Sequence, residues 1–159
     1  MLLKNQSAAD TDIVVDRDNH SIVLTRTLAA PRDVVFDAWT QPEHVRCWWD
    51  PAGKPLAECE IDLRPGGAFK FLPQPSAAGP QHAFAGIYRE IAPPDCLVFE
   101  AMGAIGRILF ASIGDRTHLT VRIECGSAAL LEQYLKLGID TGTALTLDNL
   151  VTYIGSIRG

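Results

Sequence analysis

Basic residues are the minority in this sequence: 14 Lys and Arg are scattered along the chain against 19 Asp and Glu, for a net charge of -5. Nucleic-acid contact needs cations gathered on one surface, so this balance argues against a nucleic-acid partner. Long apolar runs are missing too. The opening MLLKNQSAAD turns polar after two leucines, too short a run for a signal peptide or a membrane span. The expectation is a cytoplasmic protein with no membrane partner, in which the Asn5 and Asn19 sequons go unread. Cysteines are few and far apart. Cys47, Cys59, Cys96 and Cys125 form no close pair, which in a reducing compartment predicts free, mostly buried thiols. The sequence also has no nucleophile elbow, phosphate loop, dinucleotide fingerprint or zinc-protease helix. GAIG, Gly103 to Gly106, lacks the lysine of a phosphate loop and reads as a strand connection.

What is present suffices for one domain. At 159 residues, 47% hydrophobic and 21% charged, the chain can bury a core without metals or disulfides. Residues 1–11 read as a polar tail and 12–159 as a single domain. DIVVDRDNHSIVLTRTL carries two β-branched runs around Asp18-Asn19, a first strand with a turn or bulge before its main part. In APRDVVFDAW, Pro31 suits the first turn of a helix and Val35, Phe36 and Trp39 share one side of it. Thr40 and Glu43 have capping-box spacing, which predicts a second short helix from about Gln41 to Trp49.

From Ala57 the period drops to two. Ala57, Cys59, Ile61 and Leu63 share one face, leaving Glu58, Glu60 and Asp62 on a solvated face. RPGG fits a type II turn into AFKFL. HAFAGIYREI, CLVFEAM, GRILFASI and RTHLTVRIEC follow as successive antiparallel candidates, for six or seven strands in all. Ala128 to Ile157 is the longest helical candidate. It carries one stripe of Leu130, Tyr134 and Leu137 and another of Leu147, Leu150, Val151, Ile154 and Ile157, with Gly138 and Gly142 predicting a bend or break between them. The second stripe is expected to pack on the sheet.

This order of elements implies an α+β layer fold, a curved antiparallel sheet with a long terminal helix across one face and a pocket wherever side chains leave a gap. LAAPRDVVFDAWTQPEHVRCWWDPAG, ECEIDLRPGGAFKF, GIYREIAPPDCLVFEA and GTALTLDNLVTYI together resemble the activator of heat-shock protein 90 ATPase-like family, within the START-like (polyketide cyclase, Bet v 1-like) helix-grip superfamily, over roughly residues 22–158. The resemblance implies a helix-grip fold more firmly than an activity. It leaves open a non-catalytic binder of a small hydrophobic or aromatic ligand, a polyketide cyclase-like enzyme, and an interaction module acting on a chaperone or as a homodimer. One departure stands out: where the family often has Gly-Trp at the start of the last helix, Gly142 is followed by Thr143, and the missing aromatic would enlarge or reshape the pocket.

Three tryptophans serve the whole chain, and two are adjacent. On a helix Val45, Trp48 and Trp49 fall within one arc of roughly 100°, so both indoles can wall a cavity, or simply fill core. The other pocket candidates are Phe69, Phe71, Phe84, Tyr88, Phe99, Phe110 and Tyr134, each with core filling as its alternative role. Were there catalysis, Tyr88, Glu90, Arg107 and Tyr134 are the polar groups to nominate. His44 and Cys47 sit one helical turn apart, but zinc wants three or four ligands and no second close pair exists, so neither metal nor cofactor is expected. His20, His82 and His118 read as surface or loop residues. Leu145 and Tyr153 lie off the main stripe of the last helix, which would suit self-association.

Overall fold

The computed structural model describes residues 10–77, 79 and 81–158. Its elements run β1 (Asp12–Asp16), β2 (Ser21–Leu28), α1 (Arg32–Thr40), α2 (Pro42–Trp48), β3 (Glu58–Ile61), β4 (Ala68–Leu72), β5 (Phe84–Ala92), β6 (Cys96–Ala101), β7 (Ala104–Ile113), β8 (Arg116–Glu124), α3 (Ala128–Lys136) and α4 (Ile139–Arg158). The strands form one antiparallel sheet in the order β1-β2-β8-β7-β6-β5-β4-β3. Eight strands replace the six or seven expected. The first predicted strand splits into a hairpin, because the Asp16 carboxylate accepts hydrogen bonds from the backbone and side-chain nitrogens of Asn19 and turns the chain back.

The core lies between the sheet and a layer of helices. Ile22, Leu24 and Leu28 on β2 and Leu119 and Val121 on β8 alternate inward, as a one-sided antiparallel sheet requires. Against them α4 buries Ala144, Leu147, Leu150 and Ile154, the stripe expected to face the sheet, while Ile157 near its end is 47% exposed. The break predicted in the C-terminal helix falls at Gly138, whose φ of 73° ends α3, a backbone conformation glycine adopts without penalty. Gly142 lies within α4. The first stripe differs from expectation: α3 buries Leu131 and Tyr134, and Leu137 is exposed because it caps the helix just before the break.

One cation is set into this core. Arg26 is 6% exposed on β2; its Nη1 donates to Asp148 Oδ1 on α4 at 2.8 Å and to Thr11 Oγ1 at 3.1 Å, and Nη2 lies 3.7 Å from Asp10. Of the polar tail read over 1–11, residues 1–9 lie outside those described, and Thr11 is buried against Arg26. No described helix is long and apolar enough to cross a membrane.

Candidate functional site

Ten side chains enclose a void of about 30 Å³ between the α1–α2 corner and the far half of the sheet: Trp39, Val45, Trp48 and Trp49 above, Phe69, Phe71, Phe84, Tyr88, Leu97 and Phe99 below. The corner is built locally. Thr40 is buried and its hydroxyl donates to Phe36 O at 2.8 Å, so it closes the last turn of α1 instead of forming the expected capping box, and Gln41 precedes α2 with no side-chain cap. The tight turn sets Trp39 edge-on against Trp48, ring centres 4.9 Å apart. Trp48 is 1% exposed, with Nε1 donating to Ala38 O at 2.9 Å.

The floor follows from period two and register. Phe69 and Phe71 point the same way along β4, opposite Gly86 and Phe84 of β5; Tyr88 faces Phe99 of β6, which in turn faces Gly106. Both glycines are required by close approach. A Cβ on Gly86 would sit 2.7 Å from the tip of the Phe69 ring, and one on Gly106 would overlap the Phe99 ring, so each phenylalanine lies flat over a neighbouring strand. The RPGG turn holds Tyr88 in place: Gly66 N–H donates to Tyr88 O at 2.8 Å, and Tyr88 N–H to Gly67 O at 2.9 Å. Trp49 and Phe84 are half-buried and stack at 5.0 Å, 29° apart, forming the outer edge of the cluster.

The position of the void corrects one expectation. It was placed between the sheet and the C-terminal helix, yet α4 supplies none of the lining, because its buried stripe already fills that layer. Thr143 likewise stands away from the cavity wall. Of the nominated residues, Trp48, Trp49, Phe69, Phe71, Phe84, Tyr88 and Phe99 converge here. Phe110 sits behind the wall, packed on Phe36 at 5.1 Å and Trp39 at 6.4 Å. Tyr134 belongs to α3 and donates its hydroxyl to Met102 O at 2.7 Å. Trp39, Val45 and Leu97 were missed. The side of α1 carrying Trp39 also carries Val35 and Phe36, so in sequence it reads as ordinary core.

The wall is uncharged at neutral pH. Burial pushes the Tyr88 phenol well above its usual range, with a smaller effect from neighbouring Cys59. Burial also raises the Cys59 thiol to about 11, partly offset by Arg46. The other polar nominees stand elsewhere. Glu90 is exposed past an irregularity in the β5–β6 pairing, and Arg107 pairs with Glu124 at 3.0 Å. His44 Nδ1 meets the Tyr153 hydroxyl, and Cys47 Sγ donates to Glu43 O at 3.4 Å. Among the described residues no three His, Cys, Asp or Glu gather as a metal site. Glu58, Glu60 and Asp62 are exposed as read, Glu58 within 3.2 Å of Lys70. His20 lies in the β1–β2 turn with Nδ1 buried and unpartnered. His82 is exposed and His118 half-buried on β8. Leu145 is 47% exposed on α4, whereas Tyr153 is half-buried.

All four thiols are free. Contrary to the expectation of burial, Cys47 is exposed, because it falls on the outer side of α2 opposite Val45 and Trp48. Brief alkylation of the native protein at pH 7.5 is expected to label Cys47 first and to leave Cys59 and Cys125 unmodified until denaturant is added. Peptide mass spectrometry reads this out, and early labelling of Cys59 would contradict its shielded place on β3.

Comparison with known proteins places these features in context. The family model described as Activator of Hsp90 ATPase homolog 1-like protein matches residues 29–155. A crystal structure of a protein from Nitrosomonas europaea superposes with a TM-score of 0.79 at 20% identity, covering 87% of this chain and 96% of that one. One from Chromobacterium violaceum gives a TM-score of 0.66 at 29% identity, over 83% and 95%. The solution structure of an AHSA1-like protein from Aeromonas hydrophila gives 0.68 at 20%, over 86% and 94%. No curated protein matches the sequence.

Proposed function

The chain belongs to the Activator of Hsp90 ATPase homolog 1-like protein family, and from that premise we propose that it binds a small, apolar, largely aromatic ligand between the α1–α2 corner and β4–β6, without catalysing its conversion. Family and fold together support a ligand-binding or activator-like role. The observation that carries the narrower reading is the cavity wall, in which eight of ten residues are aromatic. A hydrophobic core needs no such concentration of rings, whereas a site for a flat apolar molecule gains contact area from each. The void of about 30 Å³ holds little more than a water molecule. Entry of a ligand therefore displaces rings, and the half-buried Trp49–Phe84 stack is the part free to swing outward. Binding is favoured over turnover because Tyr88 is the one ionisable group on the wall and no charged side chain lines the cavity beside it. The four free thiols support a cytoplasmic setting.

All three tryptophans border the void, so their emission reports on its contents. Titration with 1-aminoanthracene is expected to quench that emission and raise the melting temperature, and Phe84→Ala is expected to change the affinity severalfold. Emission and melting temperature that stay constant up to the solubility limit of a panel of neutral aromatic compounds would refute the ligand-binding reading and leave the activator-like role. Co-purification with the chaperone and a rise in its ATPase rate would then test that role.

A further inference from the structure

We infer that the ligand of this cavity carries one neutral hydrogen-bond acceptor on the edge of its ring system, a ketone or quinone carbonyl, received by the Tyr88 hydroxyl and the Trp39 indole N–H. The inference rests on the ligand-binding reading and narrows it to a chemical class.

Its basis is a pair of unsatisfied polar groups in one apolar wall. Tyr88 is 3% exposed, and its hydroxyl makes no hydrogen bond among the described residues while keeping slight access to solvent. Trp39 Nε1 is buried and also unpartnered. Both side chains line the same void. Trp48 Nε1 is paired with Ala38 O and the Tyr134 hydroxyl with Met102 O; the other buried unpartnered side-chain atom among the described residues is His20 Nδ1, away from this wall in the β1–β2 turn. Native interiors leave few such groups unpaired, since each forfeits its hydrogen bonds to water. A ligand acceptor would give the Trp39 N–H and the Tyr88 hydroxyl the partner that neither has within the described residues.

The chemistry of the acceptor follows from what surrounds it. An indole N–H can only donate, and a phenol held protonated by burial donates as well. Two donors on residues of one cavity wall call for an acceptor. No Lys, Arg or His lines the cavity, so a carboxylate or phosphate would enter without a counter-charge and remain uncompensated. A carbonyl accepts through two lone pairs and carries no charge, and the faces of Phe69, Phe71 and Phe84 cover the attached ring.

The test uses a shape-matched set, indane, 1-indanone and indane-1-carboxylate, titrated calorimetrically at pH 7 into the intact protein. The wild type is expected to bind 1-indanone at least about tenfold more tightly than indane, the combined effect of two modest hydrogen bonds, and the carboxylate most weakly. In Tyr88→Phe the preference for 1-indanone over indane should narrow severalfold, with indane affinity retained and the ligand-free melting temperature close to that of wild type. Trp39→Phe should narrow the same preference and serves as the second variant. Equal affinities for indane and 1-indanone in the wild type, or a preference for the carboxylate, would overturn the inference while leaving the apolar site standing. If none of the three binds and 1-aminoanthracene also fails, the ligand-binding reading falls with it.

Discussion

Trp48→Ala is expected to destabilise the protein by about 4–5 kcal/mol and lower its melting temperature by roughly 10–15 °C. Trp48 is the largest of the fully buried side chains, so truncation leaves a large cavity between helix and sheet. It also removes the donor to Ala38 O and the edge contact with Trp39, two ties that hold α1 and α2 at their angle. The adjacent tryptophan makes the internal control. Trp49 is half-buried and touches Phe84 and Phe71 at the rim, so Trp49→Ala should cost about 1–2 kcal/mol. Its main effect should be on affinity for aromatic compounds. Urea unfolding of both variants decides the matter: similar losses from the two would mean that the neighbouring indoles do not divide structural and ligand-facing roles.

Asp148→Ala is expected to cost about 3 kcal/mol, out of proportion to a residue on the polar side of a helix. Among the described residues the carboxylate is the closest charged partner of Arg26, itself 6% exposed in the middle of β2. Among the described residues, removing it leaves the guanidinium in contact with Thr11 and the more distant, half-exposed Asp10. Two comparisons separate this from a surface ion pair. The loss should persist in 1 M NaCl, because salt screens exposed pairs far more than buried ones. The double variant Arg26→Met with Asp148→Leu should recover most of the stability, since apolar side chains of similar volume do not need pairing. A loss below about 0.5 kcal/mol, or one abolished by salt, would mean that Arg26 is adequately compensated without Asp148.

Much of the fold was legible because its signals are local. Alternation in ECEIDL and HAFAGIYREI marks strands whose polar face meets water. The Pro-Gly-Gly of RPGG marks a turn that Gly66, at φ 84°, completes. The change of stripe between Tyr134 and Leu147 announced the break at Gly138. Misreadings arose where two local solutions compete. Thr40 and Glu43 suit a capping box by spacing, but the Thr40 hydroxyl finds a nearer acceptor in its own helix, and only the buried corner makes that choice final. Asp18-Asn19 reads equally as a bulge or as a hairpin turn, and pairing of Asp12–Asp16 with Ser21–Thr25 selects the hairpin.

The sequence by itself determined the family, the succession of elements and most of the aromatic set, because periodicity, turn residues and ring-rich segments are written along the chain. Tertiary structure alone decided that Trp39 turns toward Trp48, that Phe110 and Tyr134 stand outside the wall, and that the void lies under the α1–α2 corner instead of beneath α4. The physical reason is that helix angle and strand register bring together residues tens of positions apart. Whether a ring fills core or lines a cavity depends on what packs opposite it, and no stretch of sequence carries that information alone.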